Sequence, residues 1–245
     1  MFIQDILTSK IIHRYFINHF IKDGILKTPY GLLDVSGQHS FIQSLIFWNV
    51  YERKEIRAIK KYLNKELDII ELGSSIGMVI MALGSLIKGR KNKIISVEAN
   101  PGLLNNLRNS AKLNGYKIEF INAAICYTDD KVKFEIDNKN LGSKISDAES
   151  ITAVVVESTT LRKLFKSYGI GQYALVCDIE GAESHIFSDE VDTDAINNCR
   201  QIIIELHDTQ YKGKQYSKKD LSEMIIKKFS MRLVFCEGDI WVFSK

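Results

Sequence analysis

The sequence predicts an α/β protein with a mostly parallel sheet, helices on both faces and a reversed strand near its C-terminal end. Three observations carry this. Leu67 to Ile87 (LDIIELGSSIGMVIMALGSLI) reads as buried strand, turn of small residues and helix in direct succession. Strand-like and helix-like runs then alternate as far as Phe229, the pattern of a parallel sheet with crossover helices. Finally, Met231 to Cys236 and Ile240 to Phe243 flank Glu237-Gly238-Asp239, a hairpin signal that reverses an edge strand.

Composition narrows the classes. At 245 residues the chain is long enough for one α/β domain with a small N-terminal addition. A net charge of +3 is too small to argue for nucleic acid. Lys212, Lys214, Lys218 and Lys219 form only a small basic patch without interleaved aromatics, so no nucleic-acid partner is expected. The four cysteines (Cys126, Cys177, Cys199, Cys236) lack paired spacing and fit reduced thiols of a cytoplasmic protein. No apolar run reaches spanning length, and the N-terminus lacks a signal-peptide layout.

In chain order, residues 1–27 carry helical apolar spacing (Phe2, Ile3, Ile6, Leu7, Ile11, Ile12, Tyr15, Phe16, Phe20, Ile21). With Lys10, Arg14 and Lys22 they suggest an N-terminal helical extension, residues 1–40, before a domain over 41–245. That helix either packs on the domain or contacts a membrane surface or a partner, and packing is preferred because such stripes are usually core. Residues 41–63 read as helix again and lead into the strand at Asp68. Tyr51 and Glu52 could reach the glycine turn, although Glu52-Arg53-Lys54 reads better as a solvated face.

The next strand ends in Glu98 (Lys93 to Glu98), followed by the turn Ala99-Asn100-Pro101 and a helix that Gly115 stops. Lys117 to Asn122 alternates like a third strand. Asp129-Asp130 reads as a hairpin turn between Ile125-Cys126 and Val132 to Ile136. Residues 137–150 are a polar loop, Ala153 to Glu157 another strand, and Leu161 to Phe165 a helix. Tyr173 to Cys177 and Gln201 to Leu206 are buried strands ending in Asp178 and Glu205, and Leu221 to Phe229 is a helix.

Open α/β sheets bind ligands at the carboxyl ends of their strands. The polar residues gathered there are Ser74 and Ser75, Glu98, Asn122, Asp178 with Glu180, and Glu205 with His207. Glu98 lies at the spacing after a glycine turn that lets a carboxylate bond two ribose hydroxyls. GSSIG lacks the glycine pattern that admits a diphosphate, and Glu71 just before it suits a cationic amino-acid group. A nucleoside without phosphates is expected, S-adenosylmethionine ahead of a dinucleotide.

IIELGSSIG, SVEANP, LVCDIEGAE and IIIELH together resemble the FkbM-type S-adenosylmethionine-dependent methyltransferases, from about Tyr51 to the C-terminus. The resemblance implies a class I, Rossmann-like methyltransferase fold with a seven-stranded sheet. It also implies methyl transfer to a hydroxyl of a sugar, polysaccharide precursor or other small molecule. By position, Glu71, Gly73, Ser74, Ser75 and Gly77 fall on the cofactor loop, Glu98 and Asn100 on the ribose side, and Asn122 and Ala123 on the adenine side. Asp178, Glu180 and Glu183 fall on the DxEGxE segment and Glu205 and His207 on ExH. Glu71 stands where Asp is usual, and Ser74-Ser75 where Ala-Asn is usual.

An alcohol is a weak nucleophile, so a base at the acceptor helps. Asp178 or His207 is expected in that role, with Glu180 and Glu205 as orienting partners and Asp178 also touching the cofactor. No close-spaced His or Cys pair supports a metal, and none is expected. Two other readings stay open: an NAD-type oxidoreductase and a non-catalytic methyltransferase-like scaffold.

Overall fold

The computed structural model describes residues 12, 15–136, 144–145, 153–188 and 193–245. Most of residues 1–14 and of the loop 137–150 lie outside these, and so do the N-terminal helix positions expected there.

The central sheet has seven strands: β4 (Asp68–Leu72), β5 (Ile94–Glu98), β6 (Glu119–Asn122), β11 (Tyr173–Cys177), β12 (Cys199–Glu205), β15 (Arg232–Glu237) and β16 (Ile240–Ser244). Their spatial order is β15-β16-β12-β11-β4-β5-β6. The five inner and early strands run parallel, and β16 runs antiparallel to both its neighbours. One expectation is corrected here. The reversed strand is not at the edge, because the hairpin tucks β16 against β12 and leaves β15 outside.

The chain winds outward from β4 through β5 to β6, then returns to place β11 on the other flank of β4. The strand order therefore switches between β4 and β11. Alternation explains why these strands read as unbroken apolar runs. In β11, Ala174 and Val176 join one core, while Tyr173, Leu175 and Cys177 join the other. The first core takes helices α1 (Ser40–Phe47), α2 (Arg53–Tyr62), α3 (Met78–Leu86) and α4 (Leu104–Asn114). The second takes α5 (Leu161–Ser167), α6 (Glu183–Ser188), α7 (Thr193–Asn198) and α8 (Lys218–Phe229). Helix α3 is buried from Met78 to Gly84, which is why it is apolar all round.

Three further expectations are corrected. The helix expected through residue 27 gives way to antiparallel strands β1 (Ile21–Lys22), β2 (Ile25–Thr28) and β3 (Gly31–Asp34). Asp23 and Gly24 take φ of 53° and 78°, so the pair forms a two-residue hairpin turn that apolar spacing alone concealed. This unit is stitched to α4: Asn114 donates to Leu32 O at 2.7 Å and accepts from Leu32 N at 2.8 Å. Leu26, Leu33 and Val35 belong to the first core, so residues 21–35 pack into the domain.

The helix expected over 41–63 is broken at 48–52, where Asn49 and Glu52 have φ of 53° and 51°. Asp129-Asp130 is not a tight hairpin either. The strands around it, β7 (Ala124–Ile125) and β8 (Lys131–Glu135), both pair with β10 (Ala153–Thr159), which lies between them. With β9 (Lys144–Ile145) they form a small second sheet between β6 and β11 in the chain.

At the switch point Asp178 N donates to Leu72 O at 2.9 Å, and Gly73 takes φ of +88°. A Cβ on Gly73 would lie 1.7 Å from the Asp178 carbonyl oxygen. Neither backbone can give way without unzipping β4 from β11. Gly73→Ala should therefore destabilise the protein by roughly 3 kcal/mol or more, measured by urea unfolding. An unchanged midpoint would contradict this packing.

Candidate active site

The cleft at the switch point lies between the ends of β4, β5 and β11. Its floor is Gly73 and Ser75, with Glu98, Ala99 and Asn100 on one flank and Asp178 and Glu180 on the other. An apolar slot of Val97, Leu103, Ile125 and Phe134 extends from the Glu98 side. Phe134 comes from the inserted sheet, and strand alternation alone gave no sign that it would reach this cleft.

Glu98 is the anchor of the first flank. It accepts from Ser75 N at 2.8 Å through one oxygen and from Asn100 N at 2.7 Å through the other. Burial pushes its carboxyl up to about 7 against the pull of those N–H groups. Ser75 can offer its N–H because it sits at φ 48°, while Tyr51 OH meets Ser75 Oγ at 3.0 Å. Asn100 Oδ1 accepts from Gly102 N at 2.9 Å and starts the turn at Pro101.

Five residues expected at the cofactor stand behind the cleft instead. Glu71 is buried, accepting from Ser74 Oγ and Ser96 Oγ, each at 2.7 Å, and burial pushes it up to about 7. Ser74 is consumed by that contact. Gly77 faces Leu107, whose Cδ2 would lie 2.7 Å from an added Cβ. Asn122 donates to the carbonyls of Glu98 at 2.9 Å and Ala99 at 3.0 Å, so it braces the Glu98 loop. Ala123 packs in the second core. For Glu71, Asn122 and Ala123 the cause is that a residue at a strand end points up into the cleft or down into the sheet, which spacing does not distinguish.

Glu52, which read better as part of a solvated face, belongs to the site, and so does its neighbour Tyr51. Tyr51 and Glu52 both line the cleft, and Glu52 Oε2 accepts from Val79 N at 3.2 Å across the start of α3. Glu55, one turn on, is buried. Burial first, then the Asp178 charge, holds the carboxyls of Glu52 and Glu55 well above the usual range. The break at 48–52 turns these acids inward, and helical periodicity could not announce it.

The second flank brings together the late acids. His207 Nδ1 lies 2.8 Å from Glu183 Oε1, and Glu183 is fully buried. Its Nε2 faces Glu205 Oε1 at 3.7 Å and Glu180 Oε2 at 3.8 Å. The Glu183 bond is the main reason the imidazole is raised to about 9. Burial, then Glu205 and Glu180, pushes Asp178 up to about 8. Glu180 sits at φ 51°, which swings its carboxylate back over the strand ends. Thus Asp178, Glu180 and His207, separate in sequence, converge.

An α/β protein with a cleft at the switch in strand order and an acidic, histidine-containing second flank is the class that fold and cleft define. A family profile described as the methyltransferase FkbM domain matches residues 79–232, and the chain belongs to that family. The match includes Glu98, Asp178, Glu180, Glu183, Glu205 and His207, and begins just after the glycine turn. Among solved structures, an FkbM methyltransferase from Methylobacillus flagellatus is similar at 11% identity, covering 96% of this chain and 58% of that one, with a TM-score of 0.49. Fibrillarin of Aeropyrum pernix, with natively bound S-adenosyl-L-methionine, gives 11% identity, 72% and 65% coverage and a TM-score of 0.40. A SAM-dependent methyltransferase from Aquifex aeolicus gives 10%, 80% and 94%, and 0.40. The chain thus spans less than two thirds of the first two. No curated protein sequence matches it. No helix among the described residues is long and apolar enough to cross a membrane.

Glu71 gives a pH test. Its folded value is raised above the ordinary 4.5 to about 7, so its stability contribution is full below 4.5 and lost as pH rises through about 7. The shift is worth about 3 kcal/mol. Glu71→Gln should therefore lose about 3 kcal/mol less stability than wild type between pH ~4.5 and ~8 in urea unfolding. Equal losses in both proteins would contradict a buried, ionising Glu71.

Proposed function

We propose that the protein is an S-adenosylmethionine-dependent methyltransferase that methylates a hydroxyl oxygen of a small molecule or glycan. The observation that carries this is the Glu98 cleft beside an acidic second flank, within a chain of the FkbM family. The residues fit the cofactor on their own chemistry. Glu98 lines the cleft as a carboxylate that can accept from ribose hydroxyls, and the Val97–Leu103–Ile125–Phe134 slot suits a flat base. A cationic amino-acid and sulfonium end would favour the ionised forms of Glu52 and Asp178, which burial disfavours. The cofactor, when bound, supplies an electrophilic methyl group.

The chain's part is placement and proton handling. A second, more polar cleft shares Glu180 and Ala182 with the first and opens toward Thr209 and Gln210. A hydroxylated acceptor entering there meets Glu180 and then Asp178. Holding its oxygen in line with the methyl group provides much of the rate. Asp178 ionised beside that cationic end, or His207 in its neutral form, takes the hydroxyl proton, and Glu205 and Glu180 orient the oxygen. Glu183 fixes the ring of His207.

Two measurements check this. In calorimetry, S-adenosylhomocysteine binds and NAD does not, and Glu98→Ala weakens that binding by about tenfold or more. NAD binding in its place would overturn the reading. Turnover of a hydroxylated acceptor should fall by about 10²–10⁴ in Asp178→Asn or His207→Ala. Unchanged rates in both variants would remove these side chains from the chemistry.

A further inference from the structure

We propose that Asp178, Glu180 and His207 form a binding site for one divalent cation of the Mg²⁺ or Mn²⁺ type. One ligand atom from each of the three lies within 4.8 Å of the other two. Around an ion with bonds of about 2.1 Å, neighbouring ligand atoms stand about 3.0 Å apart and opposite ones about 4.2 Å. A small closure of the three side chains reaches that geometry.

Acids drawn together are common without a metal, and two separate features single this group out. The first is the histidine. Its Nδ1 is tied at 2.8 Å to fully buried Glu183, the carboxylate–histidine arrangement that orients a metal-binding ring. That leaves Nε2 facing Glu180 and Glu205 at 3.8 and 3.7 Å, beyond hydrogen-bond range and consistent with a shared ion between them. The second is Asp178. Its Oδ1 is shut off from solvent and has no hydrogen-bond partner, although it belongs to the same group. Among the described residues no lysine or arginine forms an ion pair with Asp178, Glu180 or Glu205. Two carboxylates and one imidazole, with room for water, suit a hard or borderline ion.

The cation's use rests on the methyltransferase reading. A hydroxyl bound to it as a further ligand loses its proton more readily, and Glu205, outside the three ligands, is placed to accept that proton. With the ion bound, Asp178 and His207 are its ligands, and the proton-accepting role given to them above passes to Glu205.

Mn²⁺ is the probe, because its free-ion paramagnetic resonance signal disappears on binding. Protein stripped with a chelator should take up one Mn²⁺ per chain. Glu180→Gln and His207→Gln should weaken uptake at least tenfold while still binding S-adenosylhomocysteine, which reports their folding. No saturable uptake by wild type, or equal uptake by both folded variants, would overturn the site. If wild type binds S-adenosylhomocysteine but not Mn²⁺, only the cation proposal fails. If it binds Mn²⁺ at this site but not S-adenosylhomocysteine, the cation site stands and the methyltransferase reading fails.

Discussion

The contact on which the rest depends is the one between the ends of β4 and β11. Gly73 lies so close to the Asp178 carbonyl that no side chain fits between them. That closeness lets the first half of the fold and the second meet at one point. Glu98, braced by Ser75, Asn100 and Asn122, stands on one side of it. Asp178, Glu180 and His207 stand on the other. A wider junction would separate the nucleoside flank from the acidic flank and leave neither with a partner.

The second constraint is charge. Glu52, Glu55, Glu71, Glu98 and Asp178 are carboxyl groups whose burial raises them above their ordinary values. Burying so many acids around the strand ends works against stability, since each prefers to be ionised in water. Strain of this kind concentrates at functional sites. A cationic ligand would relieve it, whether the proposed amino-acid and sulfonium end beside Glu52 and Asp178 or the proposed metal ion beside Glu180 and His207. Ligand binding and folding stability are thereby linked.

Much of the architecture was legible because it follows from local patterns. Leu67 to Ile87 read as buried strand, turn and helix, and Lys93 to Glu98 and Tyr173 to Cys177 as strands; β4, α3, β5 and β11 stand there, and the strands are buried on both faces. Gly115 ends α4 in the left-handed conformation expected of it. What escaped depended on pairing or on a single dihedral. Asp23-Gly24 turns the chain back where apolar spacing suggested a helix. Strand β10 slips between β7 and β8, a long-range choice that no window of sequence contains. Most consequential is the break at Asn49 to Glu52, which carries Tyr51 and Glu52 into the cleft. For the site, spacing identified the strand ends and not the direction each side chain takes. Glu98 and Asp178 point into the cleft, whereas Glu71 points into the sheet and Asn122 supports the loop from behind.

The central claim is that one cleft holds the nucleoside on Glu98 and presents the reacting end to Asp178. A crystal structure of the complex with S-adenosylhomocysteine tests it most directly. The account predicts both ribose hydroxyls on the Glu98 carboxylate, the base among Val97, Leu103, Ile125 and Phe134, and the sulfur facing Asp178. A ligand bound elsewhere, or bound here with its ribose away from Glu98, would contradict it.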